Sequence, residues 1–382
     1  MNAPKLRFKE FNDEWDYKIF DELINIKSES YNPSLKKENY KCIELEHINQ
    51  NTGTINGYCN SQDQKSNKNI FKKNEVLFGK LRPYLKKYWY ATFDGVCSSE
   101  IWVGKSKNQN IVTNKFIYDL FQSHYFLQLC NLSTGSKMPR ADWSFIKEQS
   151  IAIPNILEQK KISETLELLD KKIELQSKKI EALKLFKLYM ENQFIFKDDA
   201  SYTEYKLRDI LIEGNKTPIA DTSKYQKLTI KLNLKGLEFN KSQKEMSDKR
   251  PFYVRDENEL IIGKQNYFNG SIAIVDKKYA GGICSNAIMS FKAKDGFDIK
   301  YIYLYLSQKS YMKQREFLAN GTGQKELSEK EFLNFSIRIP SDNKVKKIIK
   351  NVNCISKKIL LEENKLNKLI ELKRGLMQNM FV

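Results

Sequence analysis

This chain contains an internal duplication, which limits the folds that it can adopt. Each half ends in a long segment with a heptad pattern. The two segments, "IPNILEQKKISETLELLDKKIELQSKKIEALKLF" and "IPSDNKVKKIIKNVNCISKKILLEENKLNKLIELKRGLM", begin at Ile153 and Ile339. Aligning Pro154 with Pro340 gives an offset of 186 residues, which holds along both segments. Apolar residues alternate at spacings of four and three, the pattern of a coiled-coil seam. The predicted seam residues are Ile162, Leu166, Leu169, Ile173, Ile180, Leu183, Ile348, Val352, Ile355, Ile359, Leu366 and Leu369.

The duplication extends over the whole chain. "YKIFDELI" at Tyr17 matches "YKLRDILI" at Tyr205, and "NEVLFGK" at Asn74 matches "NELIIGK" at Asn258. Such self-similarity indicates two copies of one structural unit. The predicted organisation is a globular domain over 1–154, a long helix over 155–197, a second globular domain over 198–340 and a second long helix over 341–382.

Each globular half mixes strand and helix patterns. "EVLFG", "VCSSEIWVG" and "SIAI" predict strands in the first half, as do "ELIIG", "SIAIVD", "ICSNAIMSFK" and "FSIRI" in the second. "NKFIYDLFQSHYFLQLCNL" and "DIKYIYLYLSQKSYMKQREFLAN" predict helices. The expected fold class is therefore α/β or α+β, with a strand order that sequence does not reveal.

A helix of roughly 40 residues is about 60 Å long, so it can hold two similar domains apart. If the two helices pair antiparallel, each domain lies at an opposite end of the pair. The alternative is an amphipathic helix that packs only on its own domain.

The charge of the chain favours a polyanionic partner, of which nucleic acid is the commonest. Lys and Arg outnumber Asp and Glu by 65 to 47, for a formal net charge of +18. No apolar run reaches the roughly 20 residues that span a bilayer, and the N-terminal stretch lacks a signal-peptide core, so we expect a cytoplasmic location. The six cysteines and two histidines are scattered, which predicts reduced thiols and no metal site.

Two kinds of loop carry chemistry suited to DNA. Lys and Arg neutralise phosphates, Arg also reads guanine, and Gln and Asn suit the adenine edge. One kind is "GKLRPYLKKYWY" with its counterpart "GKQNYFNGS", and the other is "STGSKMPRADW" with "NGTGQKEL". Each residue is alternatively a core residue or a solvated surface charge. The candidate DNA-binding residues are Lys80, Arg82, Tyr84, Lys86, Lys87, Lys137, Arg140, Lys264, Gln265, Asn266, Tyr267, Gln324 and Lys325.

Motifs for catalysis are missing from the sequence. It holds no GxxxxGK[ST] phosphate loop and no GxGxxG cluster after a strand. Glu362 and Glu363 lie on a long helix and are interpreted as solvated charges. His47 has no Ser or Cys partner placed by sequence. The chain is therefore predicted to recognise nucleic acid without having a catalytic site of its own.

Taken together, the chain resembles the specificity subunit of type I restriction–modification enzymes over nearly its whole length. The resemblance rests on "KKNEVLFGKLRPYLKK", "VCSSEIWV", "STGSKMPR", "NELIIGK", "NGTGQKELS", "FSIRIP", the two long segments and the closing "LKRGLMQNMF". It implies two target recognition domains, each reading half of a split DNA sequence. It also implies that the two helices form an antiparallel coiled coil with pseudo-twofold symmetry.

The resemblance further implies partner subunits. Two methyltransferase subunits would supply adenine methylation from S-adenosylmethionine, and restriction subunits would use ATP and Mg²⁺; no cofactor is expected in this chain. Three other hypotheses stay open: a stand-alone duplicated nucleic-acid binder, a coiled-coil interaction scaffold, and a fused enzyme, which the missing motifs disfavour. "GKQNYFNGS" departs from "GKLRPYLKK", so base-reading positions are not transferred from one half to the other.

Overall fold

The computed structural model describes residues 4–35, 38–132, 138–195, 201–240, 250–318 and 326–381. The chain forms two compact units. Unit 1 comprises Met1–Lys179 with Glu362–Val382, and unit 2 comprises Ile180–Leu361. Each unit combines helices with sheets, which confirms the predicted mixed fold.

Unit 1 contains eleven described strands and four short helices before the first long helix. The strands are β1 Asp16–Ile19, β2 Ile24–Asn25, β3 Ser30–Tyr31, β4 Lys41–Ile43, β5 Cys59–Asn60, β6 Lys68–Phe71, β7 Val76–Gly79, β8 Tyr88–Tyr90, β9 Gly95–Ser98, β10 Ile101–Ser106 and β11 Ser150–Ile153. The helices are α1 Phe20–Leu23, α2 Asn114–Gln122, α3 His124–Leu132 and α4 Trp143–Ile146, followed by the long helix α5 Ile156–Ile195.

The sheets of unit 1 enclose an aromatic core. An antiparallel sheet has the order β2-β10-β7-β8, a five-stranded sheet has the order β3-β6-β9-β4-β5, and β1 pairs with β11. Strand β7 is buried along its whole length because it lies between two neighbours and under the helices. Phe78 contacts Phe126 edge-on, and Phe121 stacks on Phe126 with ring centroids 4.3 Å apart.

Unit 2 repeats much of this architecture. Its strands are β12 Thr203–Lys206, β13 Leu211–Glu213, β14 Leu228–Ile230, β15 Leu237–Phe239, β16 Phe252–Val254, β17 Leu260–Gly263, β18 Ile272–Ile274, β19 Ile283–Ser285, β20 Ile288–Ala293 and β21 Ser336–Ile339. Its helices are α6 Leu207–Ile210, α7 Ile299–Leu306, α8 Lys309–Arg315 and α9 Glu329–Leu333. The second long helix, α10 Asp342–Asn379, begins in unit 2, and its part from Glu362 onward belongs to unit 1. The sheet order β13-β20-β17-β18 and the pair β12–β21 match β2-β10-β7-β8 and β1–β11, so the duplication includes the topology.

Several segments predicted as single elements are divided by a short break. "VCSSEIWVG" forms β9 and β10, separated by Ser99 and Glu100, and "ICSNAIMSFK" forms β19 and β20. The two predicted helices of the globular halves are also split, into α2 with α3 and α7 with α8. In the first of them Ser123 is extended, and its Oγ accepts a hydrogen bond from Phe126 N, which restarts the helix.

The long helices begin where the sequence provides caps and breakers. Pro154 precedes α5, and the Asn155 side chain accepts a hydrogen bond from Glu158 N at 3.0 Å. Within unit 1 the two long helices run antiparallel. Asp170 contacts Lys373 at 2.6 Å, and farther along α5 Gln176 contacts Glu362, which is earlier in α10.

The predicted seam residues are all buried or half-buried. The beginning of each seam packs on the domain that precedes it. Ile162 and Leu166 belong to the core of unit 1, and Ile348 and Val352 belong to the core of unit 2. The first turns of each helix therefore match the alternative of packing on its own domain, whereas the antiparallel contacts lie farther along.

The six cysteines are free thiols, as their scattered spacing predicted. Cys42, Cys97, Cys130 and Cys284 are buried. Burial raises the pKa of the Cys284 thiol to about 11, so this side chain is protonated and behaves as a small apolar residue.

Candidate nucleic-acid interface

In unit 1 the structure brings together the two loops that were predicted to contact DNA. Lys80 O accepts a hydrogen bond from Ala141 N at 2.9 Å, and Arg82 N donates to Pro139 O at 2.7 Å. Leu81 and Arg140 form an isolated β-bridge at the same crossing. Basic residues that are about sixty positions apart in sequence therefore share one surface.

The first of these loops is held in an unusual backbone conformation. Arg82 and Lys86 have φ of 53° and 51° and flank a short 3-10 turn, Pro83–Leu85. Left-handed backbone at non-glycine residues is costly and clusters at functional sites. Arg82 and Lys86 are exposed, and Tyr84 is 53% exposed, so the loop presents two cations and one ring to solvent.

Other predicted residues of unit 1 already have protein partners. The Lys87 ammonium group donates a hydrogen bond to Leu45 O. The Arg140 guanidinium group donates two hydrogen bonds to the Glu100 carboxylate, at 3.0 and 3.1 Å. Lys137 lies outside the described residues.

Unit 2 builds the equivalent loop with the same backbone hydrogen bonds. Gly263 N donates to Ser271 O at 2.9 Å, as Gly79 N donates to Lys87 O at 2.8 Å. Leu327 N donates to Lys264 O at 2.9 Å, which reproduces the crossing described for unit 1. The two loops thus share a frame, although their side chains differ.

The loop of unit 2 borders a groove of about 300 Å³. Gln265 and Asn266 are exposed and Lys264 is half-buried. Amides that can read adenine are therefore combined with cations that can hold phosphate. The polar side chains lining the groove include those of Lys227, Thr229, Arg250, Lys264, Gln265 and Asn266.

Tyr267 differs from the other candidates because it is fully buried. Its hydroxyl group donates a hydrogen bond to Leu306 O at 2.9 Å, and its ring contacts Phe332. In the shared loop frame it occupies the place of Pro83, the buried first residue of the 3-10 turn in unit 1. We therefore assign Tyr267 to the core and leave it out of the proposed interface. Gln324 and Lys325 lie outside the described residues.

Glu100 is a residue of this surface that the sequence reasoning missed. Its backbone carbonyl accepts a hydrogen bond from Lys80 N, and its carboxylate pairs with Arg140. A sequence signal existed, since a charged residue interrupts the apolar pattern of "VCSSEIWVG". The charged residue stands there because the chain turns between β9 and β10, so Glu100 directly precedes the first residue of β10.

Two kinds of feature are absent from the described part of the chain. No group of three or more His, Cys, Asp or Glu side chains there could hold a metal ion. None of its helices combines the length and the apolar character needed to cross a membrane.

The family model for the type I restriction modification DNA specificity domain matches residues 12–185 and again residues 200–372. The chain belongs to this family. The two matches coincide with the two halves of the duplication, so each half is one DNA specificity domain.

Among curated proteins, the type I restriction enzyme EcoDI specificity subunit of Escherichia coli is 27% identical over 158 residues. That match covers 41% of this chain and 34% of the relative, so it spans about a third of the relative's length.

Two solved structures share the fold. The S subunit of a type I restriction-modification system from M. genitalium is 17% identical, with a TM-score of 0.60 over 100% of this chain and 99% of that one. A chain solved to explain complex assembly and conformational transition of the type I R-M system is 15% identical, with a TM-score of 0.60 over 95% and 96%.

Proposed function

We propose that this chain is the specificity subunit of a type I restriction–modification system and reads a split DNA target, one half with each specificity domain. The observation that carries the proposal is the repeated loop frame. Both units hold a Lys-containing loop on the same hydrogen-bonded crossing, but one presents Arg82 and Tyr84 and the other Gln265 and Asn266. Two loops with the same backbone hydrogen bonds but different exposed side chains are suited to recognising two different DNA half-sites.

The exposed apolar residues of the long helices support two copies of one partner. Leu175 and Leu361 are related by the offset of 186 and are 66% and 61% exposed. Phe186 and Leu372 are related in the same way and are 51% and 52% exposed. Repeated apolar surface suits repeated docking of an identical subunit.

The chemistry belongs to those partners in this proposal. Two methyltransferase subunits bind S-adenosylmethionine and methylate adenine, and restriction subunits bind ATP and Mg²⁺. The chain itself is non-catalytic, and the complex acts on DNA in the cytoplasm. Its long helices set the unread gap between the half-sites.

The test exchanges residues 198–340 for the equivalent domain of a relative and maps methylated sites with each chain bound to its methyltransferase subunit. Only one half of the target is expected to change, because each domain has its own core and its own loops. The purified chain alone is expected to transfer no methyl group. A change in both half-sites would contradict the modular reading, and binding without any methylated motif would favour the stand-alone binder.

A further inference from the structure

The ion pair between Glu100 and Arg140 lies where three segments of unit 1 meet. These segments contain Lys80, Glu100 and Arg140. The Arg140 Nε and Nη2 atoms donate to the two carboxylate oxygens of Glu100 in a parallel, two-bonded geometry. The Arg140 side chain is 57% exposed and that of Glu100 is 26% exposed. A fixed donor fork and a fixed pair of acceptors thus stand together on the surface that carries Arg82 and Tyr84.

The fold does not need this pair. The three segments are joined by backbone bonds, from Lys80 N to Glu100 O and from Ala141 N to Lys80 O. Unit 2 makes the same two bonds, from Lys264 N to Ala287 O and from Leu327 N to Lys264 O. Ala287 there takes the place of Glu100, so the crossing forms without a carboxylate. Exposed ion pairs also contribute little to stability.

The chemistry of the pair matches one kind of base pair. Arginine donates two hydrogen bonds to guanine O6 and N7, and a glutamate accepts from the N4 amino group of cytosine. In the major groove these atoms belong to the two bases of a single G·C pair. We propose that Glu100 and Arg140 together read one G·C base pair in the half-site of unit 1, an inference that rests on the proposed function.

The pair is also suited to specificity rather than to general affinity. Because its net charge is zero, its engagement with a base pair releases few counterions, unlike a lysine that binds phosphate. A substitution that leaves the charge of Arg140 unchanged should therefore alter discrimination while the salt dependence of binding stays the same.

The experiment uses the full chain in complex with its methyltransferase subunit and maps the methylated motif on genomic DNA. Glu100→Ala removes the cytosine acceptor, and Arg140→Lys keeps the charge but loses the fork. Each is expected to reduce discrimination ten- to hundred-fold, in order of magnitude, at one G·C position of one half-site, with all other positions unchanged. Lys107→Ala is the matched control, because Lys107 forms an exposed ion pair with Asp21 just beyond the other end of β10.

Three results would overturn the inference while the wild-type complex methylates a split site. These are an unchanged motif in both variants, an equal loss at every position, which marks a phosphate contact, or a loss of discrimination at a position that is not a G·C pair. A wild-type complex that methylates no defined sequence would instead overturn the proposed function, and the reading of G·C with it.

Discussion

Asp119 is a carboxyl group buried inside unit 1, where it contacts the long helix α5. Its Oδ2 accepts a hydrogen bond from Ser163 Oγ at 2.5 Å. Burial raises the pKa of Asp119 to about 7, although the bond from Ser163 and the charges of Lys115 and Lys373 oppose the rise. Asp170 adds a smaller effect in the same direction as burial. The proton of this one residue thus affects the anchoring of α5.

Asp119→Asn is expected to remove a pH dependence of stability. The pKa of Asp119 is higher in the folded chain than the ordinary value near 4, so the folded state holds an extra proton between about pH 4 and pH 7. The stability that this proton provides is present at low pH and is lost as the pH rises to about 7, with an upper limit of about 4 kcal/mol.

Urea unfolding of unit 1, followed by hydrogen exchange at pH 5 and pH 8, measures this effect. The difference in unfolding free energy between variant and wild type should shift in favour of Asp119→Asn as the pH rises. Asp94→Asn is the control, because hydrogen bonds from Lys73 N and from the Lys72 side chain lower the pKa of the exposed Asp94 below this range. Parallel profiles for wild type and Asp119→Asn would contradict the assignment.

Individual residues were the least predictable level from the sequence. The duplication predicts a loop at Lys264 equivalent to that at Lys80, and the backbone bonds agree. Tyr267 is an aromatic residue like Tyr84, but it lies three residues after Lys264, as Pro83 lies three after Lys80, and it occupies the buried place of Pro83. Position in the loop, rather than residue type, decides which side chain faces solvent. Glu100 was missed because its partner Arg140 is forty residues away.

At the scale of elements, the paired helices have a polar layer within their seam. The Glu362 side chain is 7% exposed and accepts hydrogen bonds from Gln176 Nε2 at 2.7 Å and from Lys179 Nζ at 3.0 Å. These bonds, that from Gln176 first, lower the pKa of Glu362 to about 2. Gln176 and Glu362 are related by the offset of 186, but the sequence did not predict that they meet, and Glu362 was interpreted as a solvated charge. A buried polar layer of this kind fixes which turns of two helices face each other.

Insertion of four residues after both Gln176 and Glu362 is expected to lengthen each helix by about 6 Å. Because DNA advances about 3.4 Å per base pair, the unread gap should grow by one or two base pairs while both half-sites stay the same. Four residues are a stutter in a heptad repeat, so lower activity is also expected.

The measurement is the methylated motif of the complex. The control inserts four residues after Gln176 alone, which should displace Lys179 from Glu362, put the later turns of the two helices out of register and weaken methylation without giving a new defined gap. Sites with the original gap in the doubly extended chain would show that the helices do not set the spacing.

At the scale of the whole molecule, the two units differ in how many stretches of the chain form them. Unit 2 is one continuous stretch, Ile180–Leu361, whereas unit 1 combines Met1–Lys179 with Glu362–Val382. Met377 and Met380 lie in the core of unit 1, and Phe381 stacks on Phe116 with ring centroids 5.6 Å apart. Leu6 N also donates a hydrogen bond to Asn379 O at 2.8 Å. The sequence predicted two equal halves. It could not show that the C-terminal segment belongs to unit 1, because that arrangement depends on contacts between residues far apart in the chain.

Met380→Ala is expected to destabilise unit 1 by about 2–5 kcal/mol, as other large-to-small core substitutions do. Hydrogen exchange resolved by unit is the measurement, and unit 2 should keep the protection of the wild type. Met312→Ala is the matched control, because Met312 is equally buried in the core of unit 2. In that variant unit 2 should lose protection from exchange and unit 1 should keep it. Equal loss of protection in both units would mean that they unfold as one.

The position of Met377 and Met380 near the C-terminus also determines the order in which the two units can complete their folding during translation. A ribosome completes residues 180–361 before it reaches the segment that closes unit 1, so unit 2 can finish folding while the first unit still lacks part of its core. The apolar surface left open in that interval is a natural binding site for chaperones. A chain cut short by a late frameshift would keep that apolar surface exposed, which would make the shortened chain a substrate for chaperones and proteases.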